Sequence, residues 1–392
     1  MDFELSPAHL ELRDRARAVA EASVAPFAAE VDANARYPSE GVEGMRAAGL
    51  FGACFPEEVG GLGLGTLGMV LAVEEVAKYC ASSGLVLTLS RLATAPFMIG
   101  GSPEQQQRFG GMAARGEAVC SFGLTEPGAG SDVASMSSRA ERDGDGYRIT
   151  GVKSWVSQYL EAGFYTIFAK VGDQVCGFIV ERDTPGVELS EPTPKMGVRG
   201  VATGEVRFDG ARVPEANRIG AEGDGFKIAM NALNSMRPVI GARAIGLAEG
   251  VFEYAREYAT QRQTFGQPII RHEWVMFTLA EMAMEIEAAR LLTYRAAWKV
   301  DRGEVGREHA GVLATSKAYP SEVAERVASS GIQILGARGY SMLHPMERAY
   351  RDAKQLQIVE GTNQVQRLIM GRSVEAGDFG FGGWHGPQQP AP

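Results

Sequence analysis

The run Cys120–Asp132, CSFGLTEPGAGSD, marks the point where the chain changes texture. Before it, residues 1–117 alternate Ala-, Leu- and Glu-rich stretches with short Gly and Pro breaks. Leu10–Val24 and Thr66–Tyr79 read as helices, Pro26 ends or kinks the first, and Pro56–Gly65 (PEEVGGLGLG) is a loop by its glycines. After it, residues 118–225 are richer in glycine and β-branched side chains. Tyr147–Thr150, Phe164–Val171, Val175–Val180 and Gly204–Phe208 read as short strands, with Asp143-Gly144 and Asp145-Gly146 as turns. From residue 226 the helical period returns. Ile240, Ala244, Leu247, Val251, Tyr254 and Tyr258 form one apolar stripe, and Phe277, Ala280, Met284, Ala288 and Leu291 a second. Each stripe is expected to bury one face of a bundle helix. The expected fold is multi-domain α+β: an N-terminal all-helical domain (1–117), a small central β-sandwich or barrel (118–225), a C-terminal helical bundle (226–376) and a flexible Gly/Pro-rich tail (377–392).

Composition narrows the function classes. With 392 residues, 45% hydrophobic and 22% charged, the chain reads as a soluble globular protein with a sizeable core. A formal charge of −9 argues against nucleic acid as a partner. The N-terminus lacks a basic start followed by an apolar block, so no secretory signal is expected. No uninterrupted apolar run approaches the ~20 residues of a membrane span. Cys54, Cys80, Cys120 and Cys176 are scattered, which fits reduced thiols and a cytoplasmic location. The five histidines are equally scattered, so no bound metal is expected. No GxGxxG follows a strand, so a Rossmann nucleotide site is not supported.

Five constellations remain. In CSFGLTEPGAGSD, Gly128 and Gly130 let backbone approach a flat or charged ligand, while Thr125 and Ser131 supply hydroxyls; alone, the run reads equally well as a surface turn. In Gly151–Gln158, GVKSWVSQ, Trp155 and Ser157 fall on one side of a strand, an aromatic plane beside a hydroxyl. Arg262–Gly266, RQTFG, puts a phosphate-pairing guanidinium near Phe265 at a helix end. Gln333–Tyr340, QILGARGY, is a glycine break after a helix. In Gln357–Arg367, QIVEGTNQVQR, Glu360 follows apolar Ile358 and Val359 and precedes Thr362, a helix N-cap. A carboxylate in apolar company has raised proton affinity, which suits a general base.

Taken together, LTEPGAGSD (124–132) and YRDAKQLQIVEGTNQVQR (350–367), with RQTFG and QILG in order between them, resemble the acyl-CoA dehydrogenase family over nearly the whole chain. The resemblance implies a helical domain, a β domain and a four-helix bundle, assembled as a homotetramer around FAD. It implies that Phe122, Leu124, Thr125, Gly130 and Ser131 line the flavin and its pyrophosphate. Trp155 flanks the ring and Ser157 bonds near N5. Arg262, Phe265, Gln333 and Gly336 reach a neighbouring subunit's FAD, and Thr362 and Gln364 close the nucleotide end. Glu360 is the implied base for α,β-desaturation of an acyl thioester, with hydride passing to flavin N5. Ser131, Asn234, Arg237 and Gly361 are the implied substrate contacts.

The chain departs from the family pattern at several points. Ser157 stands where threonine is commoner, Gln158 where asparagine is, Val359 where straight-chain enzymes carry an aromatic residue, and Thr88 where the medium-chain type has a larger polar one. Met236 occupies the place where one subgroup carries its base. Arg91, one turn beyond Thr88, is either solvated or the partner of an acidic acyl end. The carrier, coenzyme A or an acyl-carrier protein, stays open, as does the biosynthetic or catabolic role. An electron-transferring flavoprotein is the implied acceptor; an acyl-CoA oxidase, a flavin monooxygenase of the same architecture, or a binding subunit with a decayed site are the alternatives.

Overall fold

The computed structural model describes residues 4–379. Its N-terminal part is helical: α1 (Pro7–Val19), α2 (Ala28–Ala33), α3 (Ser39–Ala47), α4 (Gly65–Ala77), α5 (Ala81–Gly100) and the short α6 (Pro103–Gln105) and α7 (Gly111–Ala114). Ser6 caps α1, accepting from the His9 N–H. Pro26 kinks the path here rather than ending it: a π turn over Ala20–Val24 and a 3₁₀ turn over Ala25–Phe27 carry the chain from α1 into α2. Helix α5 is long and apolar enough by composition to cross a membrane, yet 78% of that window is buried inside the protein, so it is a core helix.

The middle of the chain forms β1 (Cys120–Gly123), β2 (Arg139–Asp143), β3 (Gly146–Ser157), β4 (Phe164–Val171), β5 (Gln174–Glu181), β6 (Val187–Leu189), β7 (Thr203–Pro214) and β8 (Arg218–Ile219). They run β6-β7-β3-β2-β4-β5-β8, with β1 parallel to β4. A single parallel bridge, Arg139 to Lys170, joins the two antiparallel halves. The halves enclose one cluster, in which Tyr147 and Ile149 of β3 and Phe208 of β7 meet Tyr165 and Ile167 of β4 and Phe178 of β5. The Tyr147 and Phe178 rings pack edge to face at 5.1 Å.

The rest is helical: α8 (Gly225–Gln261), the β9 (Gln263–Thr264) and β10 (Gln267–Pro268) hairpin, α9 (Glu273–Asp301), α10 (Ala310–Leu335), α11 (Ala337–Tyr340), α12 (Met346–Leu356) and α13 (Asn363–Glu375). Helix α8 is the axis of the molecule. Its glycines let neighbours touch backbone: a Cβ at Gly246 would lie 2.1 Å from the Glu74 carbonyl of α4, and one at Gly241 2.1 Å from the Ser316 carbonyl of α10. N-terminal and C-terminal helices consequently share one core, running from Leu12 through Met69, Ile240 and Val323 to Leu356.

The two predicted stripes fare differently. Ile240, Ala244, Leu247 and Val251 are buried, although Tyr254, further along, is exposed. On α9 the buried face is Val275, Leu279, Met282, Ile286 and Ala289. The stripe read from the sequence points outward: Phe277 is 60% exposed and Met284 67%, with Leu291 and Trp298 continuing it at seven-residue steps. Helix α9 is apolar on two faces, and the helical period cannot say which one its own chain covers. Of the predicted tail, Gly377–Phe379 folds back, with the Asp378 and Phe379 N–H groups both donating to the Ser373 carbonyl; residues 380–392 lie outside the described residues.

Candidate active site

Glu360 sits on the turn between α12 and α13. The Gln355 carbonyl accepts from Ile358 and Val359 N–H, and Thr362 caps α13 through its hydroxyl, 3.2 Å from the Val365 nitrogen. Between them Glu360 and Gly361 are both left-handed, at φ 54° and 86°. That conformation is costly for glutamate, and its surroundings hold it in place. Lys317 of α10 donates to the Gly361 carbonyl and to Asn363 Oδ1, both at 2.9 Å. Gln366 Nε2 donates to the same carbonyl at 3.0 Å. The turn is therefore clamped from α10 on one side and from α13 on the other.

Glu360 as a residue is half-buried, but its Oε2 is sealed from water and has no hydrogen-bond partner. Burial pushes this carboxyl up to about 7, while Arg243 and Lys317 pull the other way. Burial likewise pushes the Lys317 ammonium down to about 7, with Glu360 opposing and Arg243 and Arg237 assisting. Arg237 and Arg243 of α8 are buried and pushed down to about 10, so both stay cationic at neutral pH.

The LTEPGAGSD loop is fixed by one residue. Glu126 is buried and pairs with buried Lys153 at 2.7 Å, while also accepting from Ser137 Oγ at 2.7 Å and the Ser138 N–H at 3.0 Å. Burial opposes its ionisation, but Lys153 and the two serines bring the carboxyl down to about 2. Glu126 and Ala129 exchange backbone bonds, and the Thr125 carbonyl accepts from the Ser154 N–H at 2.8 Å. Phe122 packs on Phe168 at 5.7 Å, and Leu124 on Ala129, Met136 and Ala229. Beyond this anchor Gly128, Gly130 and Ser131 are exposed, and a Cβ on either glycine would meet nothing within 4 Å. The loop therefore offers open backbone on a rigid base.

Trp155 lies in a bulge of β3 against β7, at φ 57°, and is 64% exposed. Val156 is buried and Ser157 half-buried; the bulge at Trp155 interrupts the regular strand alternation from which a shared side for Trp155 and Ser157 was expected. Ser157 Oγ is 3.1 Å from Thr203 Oγ1, which also accepts from Lys195 at 3.0 Å. Gln158 turns inward, its Nε2 donating to the Cys120 carbonyl at 3.4 Å.

Other predicted residues fall elsewhere. Arg262, exposed Phe265 (96%), Gln333 and Gly336 cluster at the far ends of α8 and α10. Ala229, which packs against Leu124 and Ala129 of the 124–132 loop, and Arg262 lie at opposite ends of the 37-residue α8, roughly 50 Å apart at 1.5 Å per residue. One chain does not bring the two groups together. Asn234 and Arg237 donate to the Val305 and Ala310 carbonyls at 2.9 and 2.8 Å, fastening the connection into α10. Gln364 is exposed on the first turn of α13. Thr88 bonds back to the Gly84 carbonyl at 2.8 Å. Among the described residues no cluster could hold a metal ion.

The sequence matches the N-terminal domain of acyl-CoA dehydrogenases over residues 6–117, the middle domain over 121–211 and the C-terminal domain over 223–375. The chain belongs to the acyl-CoA dehydrogenase family. It is 39% identical to a probable acyl-CoA dehydrogenase of Mycobacterium leprae, fadE25, over 95% of this chain and 96% of that one. Butyryl-CoA dehydrogenase of Megasphaera elsdenii superposes with a TM-score of 0.92 at 36% identity, covering 96% and 100%. A chain from a study of the electron transferring flavoprotein of Acidaminococcus fermentans gives 0.93 at 37% identity, covering 95% and 99%. As an acyl-CoA dehydrogenase the protein is an oxidoreductase, with its helical, β and helical parts in family order.

Several residues that shape this acyl-CoA dehydrogenase site went unread in the sequence: Lys317, Arg243, Gln366 and the Glu126–Lys153 pair. Their signal was weak but present. Arg243 and Lys317 each interrupt an apolar helical run, VIGARAIG and VLATSKAY. A charge at a core position needs a partner or a purpose.

Proposed function

We propose that this protein desaturates an acyl thioester with Glu360 as the base and FAD as the resident cofactor. The observation that carries the reading is the Glu360 carboxyl: sealed at Oε2, without a partner, held on a clamped turn and poised near pH 7. A thioester α-proton leaves only if a base waits for it and the enolate oxygen finds donors. The Glu360 carboxylate supplies the acceptor, and the Glu360 backbone N–H is the donor proposed for the thioester carbonyl. Exclusion of water from this corner keeps the base strong and the carbonyl bond effective.

The residues present fit a flavin. Open backbone at Gly128 and Gly130 with the Thr125 and Ser131 hydroxyls suits its phosphates, exposed Trp155 suits a ring face, and Ser157 offers a hydroxyl beside it. Phe122 and Leu124 back this loop, and Thr362 and Gln364 stand at the nucleotide end. When bound, FAD supplies the acceptor for the β-hydride. Ser131, Asn234, Arg237 and Gly361 remain the proposed substrate contacts, although Asn234 and Arg237 already hold carbonyls of their own chain.

A homotetramer completes the site in this reading. Arg262, Phe265, Gln333 and Gly336 are exposed and far from their own loop, so they serve a neighbour's FAD. The outward ridge of α9 supplies an apolar contact between copies. An electron-transferring flavoprotein is the proposed acceptor, supported by the Acidaminococcus match, and four free thiols support a cytoplasmic location. Coenzyme A is the proposed carrier, with a carrier protein as the second option. An anaerobic titration of the yellow protein with short, long, branched and aromatic acyl-CoA thioesters tests the proposal. Bleaching of the flavin by one class is the expected result; a protein that none bleaches refutes coenzyme A thioester desaturation.

A further inference from the structure

Arg243 lies in the middle of α8 and is among the largest fully buried side chains of the protein, about 1% exposed. Its Nη2 donates to Gln355 Oε1 at 2.7 Å. Nε and Nη1 are sealed from water and meet no acceptor. Buried donors left bare are expensive and uncommon, most of all on a charged group. Gln355 fixes where this guanidinium is. The Gln355 carbonyl ends α12 and starts the turn that presents Glu360, so Arg243 grips the base's own support. Among the charges acting on the Glu360 carboxyl, Arg243 exerts the largest pull.

The charge balance of this corner is lopsided. Two buried cations, Arg243 and Lys317, act on the Glu360 carboxyl, and a third, Arg237, acts on Lys317 together with the Glu322 carboxylate. Each bonds neutral oxygens: the Ala310 carbonyl, Gln355 Oε1, and the Gly361 carbonyl with Asn363 Oδ1. Asp352, the other carboxyl felt by Arg243, is taken by the Val198 N–H at 2.6 Å. An alkyl chain ending here would leave two nitrogens of a buried cation, Nε and Nη1, without an acceptor. An acyl group with its own oxygen acceptor would satisfy them.

We infer that Arg243 is a specificity-determining residue that selects short acyl groups carrying an anionic oxygen acceptor at the far end, as in the monothioester of a short dicarboxylic acid. The inference rests on the desaturation reading and names its substrate class. Arg243 is bonded to Gln355, whose carbonyl starts the turn that carries Glu360, so the acceptor it selects lies close to the carbon that Glu360 deprotonates. A long alkyl chain does not meet that requirement.

The test compares two five-carbon probes, pentanoyl-CoA and glutaryl-CoA, on the FAD-loaded full chain and its Arg243→Met and Arg243→Lys variants. Anaerobic flavin bleaching gives the rate, and the shift of the flavin spectrum on binding gives Kd. In the wild type glutaryl-CoA is favoured. In Arg243→Met the glutaryl-to-pentanoyl ratio falls by about 10- to 100-fold, the value of a charge-assisted hydrogen bond, and Arg243→Lys keeps part of it. An unchanged ratio overturns the inference, as does an equal loss for both probes, which would make Arg243 only a counter-charge to Glu360. Absent bleaching with the Kd ratio still tracking residue 243 would sink the desaturation reading alone. Absent binding of both probes sinks both.

Discussion

Glu360→Gln removes one proton acceptor and one buried titrating group at nearly constant volume, and the two losses act in opposite directions on activity and stability. Burial lifts the carboxyl from its ordinary 4.5 to about 7. That rise corresponds to about 3 kcal/mol against ionisation in the folded state. The sign follows from proton counting. Below pH 4.5 both folded and unfolded chains hold the proton, and the group contributes nothing. Between 4.5 and about 7 only the folded chain holds it, so stability falls as pH rises; above about 7 the whole penalty applies. Glutamine carries no such penalty. For 392 residues the unfolding entropy is about 0.8 kcal/mol/K, so 3 kcal/mol corresponds to a melting shift of about 4 °C. Paired thermal melts at pH 8.5 and pH 5, followed by flavin fluorescence, measure it. The variant melts about 4 °C above wild type at pH 8.5, the gap narrows to about 1 °C at pH 5, and substrate bleaching drops by about 10²- to 10⁴-fold. A gap independent of pH, or bleaching that survives, refutes the reasoning.

Three further outcomes are expected. Arg262→Ala leaves the fold intact but lowers FAD retention, read as flavin per chain after gel filtration; unchanged flavin content and mass would remove the cross-subunit site. Glu126→Ala strands the buried Lys153 ammonium and frees the 124–132 loop, costing about 3–5 kcal/mol in chemical denaturation together with flavin loss. Phe277→Glu combined with Met284→Glu charges the outward ridge of α9, and light scattering should report a smaller assembly; an unaltered mass would show that this ridge is not a contact between copies.

Strands β3, β4, β5 and β7 were legible because alternation and Asp-Gly turns are local signals, although β3 runs further than Tyr147–Thr150 suggests and carries its bulge where Trp155 turns out. That the Glu360 carboxyl is buried was readable, although its chain neighbours do not bury it: Ile358 is 58% exposed and Val359 half-buried. The turn that holds Glu360 was not readable, because its clamps, Lys317 and Gln366, come from α10 and from inside α13. The shared core of the two helical regions was equally hidden: Gly246 against Glu74 joins residues far apart in the chain, and no periodicity within either helix records the meeting. On α9 the pattern was read correctly as apolar and assigned to the wrong side, because periodicity gives a face and not what covers it.

That second face has a consequence for the life of the chain before it works. A newly made copy leaves the ribosome with Phe277, Met284, Leu291 and Trp298 bare along one helix. If this ridge is the proposed contact between copies, it is a site for chaperone capture or aggregation until a sister copy arrives. In that reading, synthesis rate and local concentration bear on the yield of active protein alongside folding stability. In the proposed homotetramer, two weakened alleles expressed together would mix in one assembly, so a defect in one copy would reach subunits that are themselves intact.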